Sequence, residues 1–329
     1  MIDLSPIFTA VRQAAILCHE VQQRHIVKSD KGGHEPVTIA DYGSQAIICR
    51  AISKHFPHDA VMSEESSEQF LSLVNETQRT YIIGLIAEVL GEDVSEKDVI
   101  KWLDHGKGRE ERQMWVVDPI DGTKGFLGQR HYVNAVGVMH NRKPVAGLLG
   151  APEYPGGYKG GALLYAVDGT AYIESMDGGN DTREISVSPR SEPAELRGLE
   201  SVEKSHAGHE RMARVRDHVG MDPNTVVRAD SQEKYGRIAA GDAELYLRLP
   251  RLSNNRPHSI WDHAPGAAIV EAAGGVVTGV DGSPLDYSTG RALQNEGVVV
   301  SNGTIHDKII DAVQQLLKEE AAQAAENDE

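Results

Sequence analysis

Residues 115–123 read WVVDPIDGT. The apolar start of this stretch predicts a buried strand that ends at Asp118, and the proline and glycine that follow predict a tight change of direction. Asp118 and Asp121 are thereby held near one point, with the carbonyl group of Ile120 between them. Oxygen ligands of this kind suit a hard cation, above all Mg²⁺. The alternative is a polar turn between two elements that binds no metal.

The composition is that of an ordinary globular protein. The chain has 329 residues, of which 40% are hydrophobic, enough for one large domain or two closely packed halves. Its net charge of −16 argues against binding to nucleic-acid polymers. No apolar run approaches the roughly 20 residues that cross a bilayer, and the N-terminus lacks signal-peptide features, so we expect a cytoplasmic protein without a membrane partner. Cys18 and Cys49 lie in apparently helical segments, which favours reduced, buried thiols.

Helices and strands alternate along the chain, which predicts a layered α/β or α+β architecture. The spacing of apolar residues predicts one helix over residues 5–25 and another from Thr38 to about residue 55. In the second helix, Asp41 lies three residues after Thr38 and would close a capping box with it. Residues 77–105 predict two further helices in an inserted segment.

The later part of the chain predicts hairpins and then strand–helix alternation. Strand pairs flank the turn sequences at 141–144 and 168–169. Beyond them the pattern predicts strands near 199–202, 225–229, 244–249 and 297–301, helices near 209–219, 231–240 and 262–273, and a C-terminal helix. The glycine-rich residues 154–161 are the best candidate for a junction between halves. Residues 319–329 predict a fraying helix end or a disordered segment.

Three further acidic positions have ordinary structural explanations when each is taken alone. Glu64 and Glu65 lie in the sequence MSEES, which also fits a solvated acidic loop. Asp262 opens an apolar helix and also fits a helix N-cap. Neighbouring residues on extended chain point in opposite directions, so one of the two glutamates should face the site and the other support it. The order of the motifs is more informative than any one of them.

That order is PVTIAD at 36–41, SEES at 63–66, WVVDPIDGTKGF at 115–126 and WDHAPGAAIVEAAGG at 261–275. It resembles the Mg²⁺-dependent, lithium-sensitive phosphatase superfamily that includes inositol monophosphatases and fructose-1,6-bisphosphatases. Within that superfamily the chain is most similar to the 3′(2′),5′-bisphosphate nucleotidase family, over roughly residues 5 to 315. The long insert between the second and third motifs also resembles the nucleotidase branch.

The resemblance implies an α+β fold, a layered αβαβα sandwich of the sugar-phosphatase type with mixed sheets in two α/β halves. Residues 1–155 would form the N-terminal half, which supplies most metal ligands and contains the insert at 77–112. Residues 156–316 would form the C-terminal half with the nucleotide-binding residues. Residues 317–329 would be an acidic tail.

The resemblance also implies a site for two or three Mg²⁺ ions. The metal ligands would be the carboxylates of Glu64, Asp118, Asp121 and Asp262 and the carbonyl of Ile120. Asp41 and Thr123 would be the catalytic pair that activates the attacking water. Glu64 is preferred over Glu65 as a ligand because the family uses the first glutamate of the pair.

The substrate-binding residues implied by the resemblance are Gly122, Thr123, His206, His209, Ser231, Lys234, Arg248 and Asp262. Lys234 and Arg248 would bind the nucleotide 5′-phosphate. Asp230 or Ser231 should cap the helix that contains Lys234, which would leave backbone N–H groups that favour an anion. Either of the two histidines would border the adenine, and the sequence does not choose between them.

These residues imply a Mg²⁺-dependent phosphatase that hydrolyses the 3′-phosphate of adenosine 3′,5′-bisphosphate to give AMP and phosphate, by direct attack of a metal-activated water. 3′-Phosphoadenosine 5′-phosphosulfate would be a second substrate. The resemblance further implies lithium sensitivity, a role in sulfur assimilation and a monomer. The alternatives are an inositol polyphosphate 1-phosphatase and a non-catalytic sensor of nucleotide bisphosphates.

Overall fold

The computed structural model describes residues 2–26, 35–109, 111–202, 208–250 and 257–327. Its α-helices are α1 (Ser5–Ile26), α2 (Glu35–His55), α3 (Ser67–Leu73), α4 (Glu76–Leu90), α5 (Glu96–Leu103), α6 (Thr123–Leu127), α7 (His209–Val219), α8 (Glu233–Ala239), α9 (Ala264–Ala272) and α10 (His306–Asn327). Its strands are β1 (Ala60–Ser63), β2 (Gln113–Asp121), β3 (Val133–His140), β4 (Lys143–Ala151), β5 (Ala162–Val167), β6 (Thr170–Ser175), β7 (Arg183–Ile185), β8 (Gly198–Glu200), β9 (Val226–Arg228), β10 (Leu245–Arg248), β11 (Val276–Gly279) and β12 (Val298–Ser301). Short 3₁₀ helices span Pro193–Glu195, Pro223–Thr225 and Ile260–Asp262.

The strands form two mixed sheets. A seven-stranded sheet has the order β1-β2-β3-β4-β5-β6-β7, in which β1 and β2 are parallel and the later neighbours are antiparallel. A five-stranded sheet has the order β11-β12-β10-β8-β9. The boundary predicted at residue 155 falls within the chain segment of the first sheet, because β5, β6 and β7 continue it to Ile185. The division into halves at that point stays a prediction.

The side chains of β2 alternate between two separate apolar cores, as the two-residue period of a strand requires. Trp115 and Val117 belong to the core that the first sheet forms with α1 and α2. Met114 and Val116 face the opposite way, into a second core that contains residues of α8 and α9 and of the five-stranded sheet. The first sheet is therefore covered on both faces, with α8 and α9 between the sheets.

The five-stranded sheet is covered in the same manner. Tyr246 of β10 points into the core between the sheets, whereas its neighbours Leu245 and Leu247 point into a third core. That third core contains Met212 of α7 and Ile309 of α10. The order of layers is helix, sheet, helix, sheet, helix, which confirms the predicted αβαβα sandwich.

Several predicted elements are confirmed, and the start of α2 is corrected. The helix predicted over residues 5–25 is α1, and the two helices of the insert are α4 and α5. Helix α2 begins at Glu35, so Thr38 lies inside it and the predicted capping box with Asp41 is wrong. Pro36 does not prevent this earlier start, because a proline in the first turn lacks only an N–H group that the helix does not need.

The insert and the C-terminal segment both add to the folded body. In the insert, Ile82, Ile86 and Val99 are buried in the core next to α2. Helix α10 continues through the predicted acidic tail to Asn327, so these residues are helical and not disordered. Glu320 pairs with Arg211 of α7 at 2.6 Å and thereby fixes part of this segment. No helix among the described residues is both long and apolar enough to cross a bilayer.

Replacing Gly147 with alanine should destabilise the protein. In β4, the added Cβ atom would lie 2.1 Å from the carbonyl oxygen of Pro265, and this backbone atom can move away only if α9 shifts. We expect the free energy of unfolding to fall by about 1–3 kcal/mol. Urea unfolding measures the change.

Gly84→Ala is the matched control for this substitution. Gly84 lies in α4, and its added Cβ atom would meet no atom within 4 Å. Alanine should therefore stabilise that helix by up to about 1 kcal/mol. A Gly147→Ala protein as stable as the wild type would contradict the close packing of α9 on β4.

Candidate active site

Glu64 and Asp118 lie side by side on adjacent parallel strands, Glu64 directly after β1 and Asp118 within β2. The strand predicted to end at Asp118 continues to Asp121. In the register of β1 and β2, Ser63 lies opposite Val117, so the next residue on each strand is acidic. The backbone N–H of Glu64 donates to the carbonyl of Val117 at 3.2 Å, which fixes the two chains at this point. Asp118 is only 3% exposed. The strand pairing therefore brings two carboxylates from distant motifs together.

The turn after Asp118 is held by its neighbours. The pairing of β2 with β3 is interrupted between Asp118 and Asp121, so this segment bulges from the sheet. The carbonyl of Pro119 in this bulge accepts a hydrogen bond from Nδ2 of Asn134 at 2.5 Å. Gly122 then has φ of 92°, a value that favours glycine. The bulge turns Asp121 towards the second half of the chain.

Gly122 also permits a close approach of two segments. A Cβ atom at this position would lie 2.9 Å from Cβ of Ser231 and 3.2 Å from the carbonyl oxygen of His131. Thr123, the next residue, begins α6, and its Oγ1 donates to the carbonyl of Ile120 at 3.5 Å. Among the described contacts Thr123 does not reach Asp41, and its role beside that residue stays a prediction.

Burial and mutual repulsion raise the pKa values of the acidic side chains. The pKa of Asp118 is well above its ordinary value because the carboxyl is buried and because Glu64 and Asp121 lie near it. Burial and the charges of Glu65 and Asp262 raise the pKa of Glu64 to about 7. The pKa of Asp41 is raised by burial and by the two glutamates. The carboxylates from all four motifs thus lie within electrostatic reach.

The residues fit a hard divalent cation. Their donor atoms are carboxylate and carbonyl oxygens, the ligands that Mg²⁺ prefers. Oδ1 of Asp118 is buried and has no hydrogen-bond partner among the described residues, which is costly unless a cation neutralises it. No three His, Cys, Asp or Glu side chains of the described segments converge closely enough to enclose an ion as they stand.

Cationic side chains border the acidic cluster on the side of the second sheet. The guanidinium of Arg248 lies 3.6 Å from a carboxylate oxygen of Asp262. Lys234 is 4% exposed; its ammonium donates to the carbonyl of Ala229 at 3.2 Å and lies 5.1 Å from the ring centre of Tyr246. Burial lowers the pKa of Lys234 to about 8, although Asp121 opposes the shift. Positive charge thus lies directly beside the predicted metal ligands.

Ser231 has the unusual φ of 63°. Helix α8 begins two residues later than predicted, and its N-cap residue is Gln232 rather than Asp230 or Ser231. The Ser231 hydroxyl nevertheless accepts a hydrogen bond from the backbone N–H of Glu233 at 3.2 Å. The predicted cap was therefore placed one or two residues too early.

The two histidines predicted near the adenine have different outcomes. His206 lies outside the described residues. His209 begins α7, where Nε2 is hydrogen-bonded to the carbonyl of Ser201 at 3.1 Å and lies 3.7 Å from Glu200. The structure therefore gives His209 partners within its own half of the chain, and its contact with a nucleotide stays a prediction.

A family model described as the inositol monophosphatase family matches residues 4–318. The chain belongs to this family. Within the family it is similar to 3′(2′),5′-bisphosphate nucleotidase 1 of Candida albicans, with 35% identity over 94% of each chain. It is 34% identical to the 3′(2′),5′-bisphosphate nucleotidase of Oryza sativa, over 97% of this chain and 95% of that relative. The resemblance stated from the motifs is confirmed.

Solved structures of the inositol monophosphatase family share the fold. An IMPase from Thermotoga maritima matches with a TM-score of 0.64 and 20% identity, over 95% of this chain and 96% of that one. The inositol monophosphatase from Anabaena matches with a TM-score of 0.58 and 20% identity, over 95% and 97% of the two chains. At such identities the likeness is one of fold alone, and it confirms the layered architecture.

Three residues that support the candidate site of this family member were not predicted from the sequence. Gln45 of α2 exchanges hydrogen bonds with the backbone of Glu65 at 2.9 and 3.0 Å. Arg291 donates to the carbonyl of Ser63 at 2.6 Å. Gln232 donates its backbone N–H to Oδ2 of Asp121 at 2.7 Å. The only local signal is that each is polar and lies beside a motif or a loop.

Asp118→Asn should stabilise the metal-free protein. The substitution removes an acid whose pKa is raised because its charge is buried and because neighbouring carboxylates repel it. We expect the unfolding temperature in a metal chelator to rise by about 1–2 °C, equivalent to about 1 kcal/mol for a chain of this length. Thermal unfolding by circular dichroism measures the shift.

Glu174→Gln should have the opposite effect and is the control. Glu174 is also buried, but it is paired with Arg12 and accepts a hydrogen bond from Thr182 at 2.6 Å. Its neutralisation should lower the unfolding temperature. A lowered temperature for Asp118→Asn as well would contradict the repulsion within the acidic cluster.

Proposed function

We propose that this chain is a Mg²⁺-dependent 3′(2′),5′-bisphosphate nucleotidase that hydrolyses the 3′-phosphate of adenosine 3′,5′-bisphosphate to AMP and phosphate. One observation supports this most directly: the acidic cluster and a cationic cluster adjoin, with Arg248 3.6 Å from Asp262. A cluster of carboxylates that binds metal ions suits a phosphate that is cleaved, and fixed cations suit a second phosphate that is only held. The names of the relatives, which are 34–35% identical over nearly the whole chain, support the nucleotide substrate.

The proposed metal ligands are the side chains of Glu64, Asp118, Asp121 and Asp262 and the carbonyl of Ile120. Bound Mg²⁺ would supply charge neutralisation at the phosphate and a water of lowered pKa. The finer expectations of the proposal are two or three ions, inhibition by lithium, a monomer, a cytoplasmic location, activity on 3′-phosphoadenosine 5′-phosphosulfate and a role in sulfur assimilation.

The residues of the chain would orient the reactants and accept a proton. Asp41 would accept the proton of the attacking water, and Thr123 would orient that water. Phosphoryl transfer leaves the protein little covalent work, so positioning and electrostatics dominate its contribution. Cys18 and Cys49 are buried, and burial raises the pKa of both thiols to about 12, so neither suits a nucleophile. Direct attack by water is therefore the proposed route.

The substrate end would hold the 5′-phosphate between Lys234 and Arg248. The carbonyl of Ala229 orients the side chain of Lys234, and the carboxylate of Asp262 orients that of Arg248. Ser231 lies two residues before α8, and its hydroxyl, which donates to the carbonyl of Asp230 at 2.6 Å, would turn to donate to the same phosphate. Gly122 and Asp262 would line the path between the two phosphates. His206 or His209 would border the adenine.

Phosphate release from adenosine 3′,5′-bisphosphate tests the proposed reaction. We expect rapid release in Mg²⁺, inhibition by lithium, and little release from inositol 1,4-bisphosphate. Asp118→Asn should reduce kcat/KM by at least about 100-fold, because the loss of a metal ligand should exceed the 10–100-fold effect of losing an outer partner. Glu174→Gln should remain active.

The alternatives give different results in the same assay. Release only from the inositol compound would favour an inositol polyphosphate 1-phosphatase. Nucleotide binding without any release in millimolar Mg²⁺ would favour a non-catalytic sensor. Near-normal release by Asp118→Asn would contradict the metal assignment.

Lys234→Met should weaken recognition of the 5′-phosphate selectively. A charge-assisted hydrogen bond contributes about 1.5–3 kcal/mol, so kcat/KM for adenosine 3′,5′-bisphosphate should fall by roughly 10–100-fold. The value for adenosine 3′-phosphate, which lacks the 5′-phosphate, should change little. Steady-state kinetics on both substrates measures this difference.

Lys159→Met is the control, because Lys159 is an exposed lysine paired with Asp177 at 3.0 Å. It should leave both substrates unaffected. An equal loss on both substrates in Lys234→Met would show that Lys234 supports the fold or the metal site rather than the 5′-phosphate.

A further inference from the structure

The backbone N–H of Gln232 and both polar atoms of its side chain form hydrogen bonds. The residue is 1% exposed and lies between Ser231 and α8. Its backbone N–H donates to Oδ2 of Asp121 at 2.7 Å. Its side-chain Nε2 donates to the carbonyl of Trp261 at 2.9 Å, and its Oε1 accepts from the backbone N–H of Gly266 at 3.0 Å. One residue therefore contacts three segments.

Two of these contacts are made to residues on either side of Asp262 in the sequence. Trp261 directly precedes Asp262, and Gly266 lies in the first turn of α9 that follows it. The side chain of Gln232 thus holds the backbone on both sides of one predicted metal ligand. The backbone N–H of Gln232 holds the carboxylate of Asp121, the other predicted metal ligand.

The surroundings leave this connection little freedom. Gly266 packs against the ring of Tyr235, which lies one turn along α8: a Cβ atom at Gly266 would lie 2.5 Å from Cγ of Tyr235. The two helices that carry the contacts of Gln232 are therefore in van der Waals contact. A shift of Gln232 would move both carboxylates or break a buried hydrogen bond.

We infer that Gln232 is a positioning residue that sets Asp121 and Asp262 relative to each other for ion binding. The inference rests on the proposed function, since it takes both carboxylates as metal ligands. Like-charged carboxylates that share an ion repel each other, so a support that orients them favours ion binding. Gln232 supplies that support through its backbone N–H and its side-chain amide.

Mn²⁺ binding to the substrate-free protein tests the inference without an activity assay. Gln232→Met keeps the length of the side chain and removes both of its hydrogen bonds. We expect its Mn²⁺ dissociation constant, measured by isothermal titration calorimetry, to rise about tenfold or more, the range known for partners that orient metal ligands. The measurement is made at a temperature where each variant is folded by circular dichroism.

Asn302→Leu is the matched control for a purely structural role. Asn302 is 4% exposed, and its Nδ2 donates to the carbonyls of Ser188 and Arg190, both at 2.8 Å. Its replacement removes these two hydrogen bonds and the two that its Oδ1 accepts from Thr304, but it lies away from the acidic cluster. We expect a comparable loss of stability with an unchanged Mn²⁺ dissociation constant.

The outcomes separate this inference from the proposed function. Asp121→Asn should weaken Mn²⁺ binding; if it does not, the proposed metal site is wrong. If Asp121→Asn weakens binding while Gln232→Met binds Mn²⁺ as the wild type does, the positioning role alone is overturned. If Gln232→Met does not fold, Gln232→Asn replaces it, because its shorter amide cannot span both partners. Wild-type affinity in that variant would likewise overturn the inference.

Discussion

Repulsion among buried carboxylates is the constraint on which this structure depends. Asp118 is removed from water beside other acids, and each condition alone disfavours its charged form. A site of this kind persists only if the surrounding fold holds the acidic groups in place. The backbone does much of this work: the N–H of Glu64 is fixed to β2, and the carbonyl of Pro119 is fixed to β3. The destabilisation is local, and the three apolar cores around the sheets compensate for it.

The layered architecture explains how the acids meet. The parallel strands β1 and β2 bring Glu64 and Asp118 side by side, while α2 covers one face of the first sheet and supplies Asp41. The helix layer between the sheets supplies Asp262 from the opposite face. Residues that are far apart in the chain thus converge because each lies on, or directly after, an element that belongs to the first sheet or packs on it.

Much of this was predictable from the sequence, for identifiable reasons. The two-residue alternation in β2 and the apolar spacing in α1 follow from which side chains are buried. This pattern is visible within each short segment of sequence. The start of α2 was not predicted, because Thr38 and Asp41 have the spacing of a capping box, although the helix already begins at Glu35. Gln232 was not predicted either, since its partners lie 111, 29 and 34 residues away and nothing near it in the chain marks them. Acidic motifs can be read from sequence, whereas the groups that hold them depend on tertiary contacts.

The left-handed backbone conformation of Ser231 restricts the residue types that suit this position. Glycine would adopt φ of 63° most easily, but it would lose the hydroxyl that accepts the N–H of Glu233. Threonine would keep a hydroxyl, but its branched Cβ disfavours this conformation. Serine alone among these three satisfies shape and chemistry together. A substitution at this position must suit both the backbone conformation and the hydrogen bond to Glu233. A strained backbone can therefore restrict the choice of residue as strongly as direct contact with a ligand.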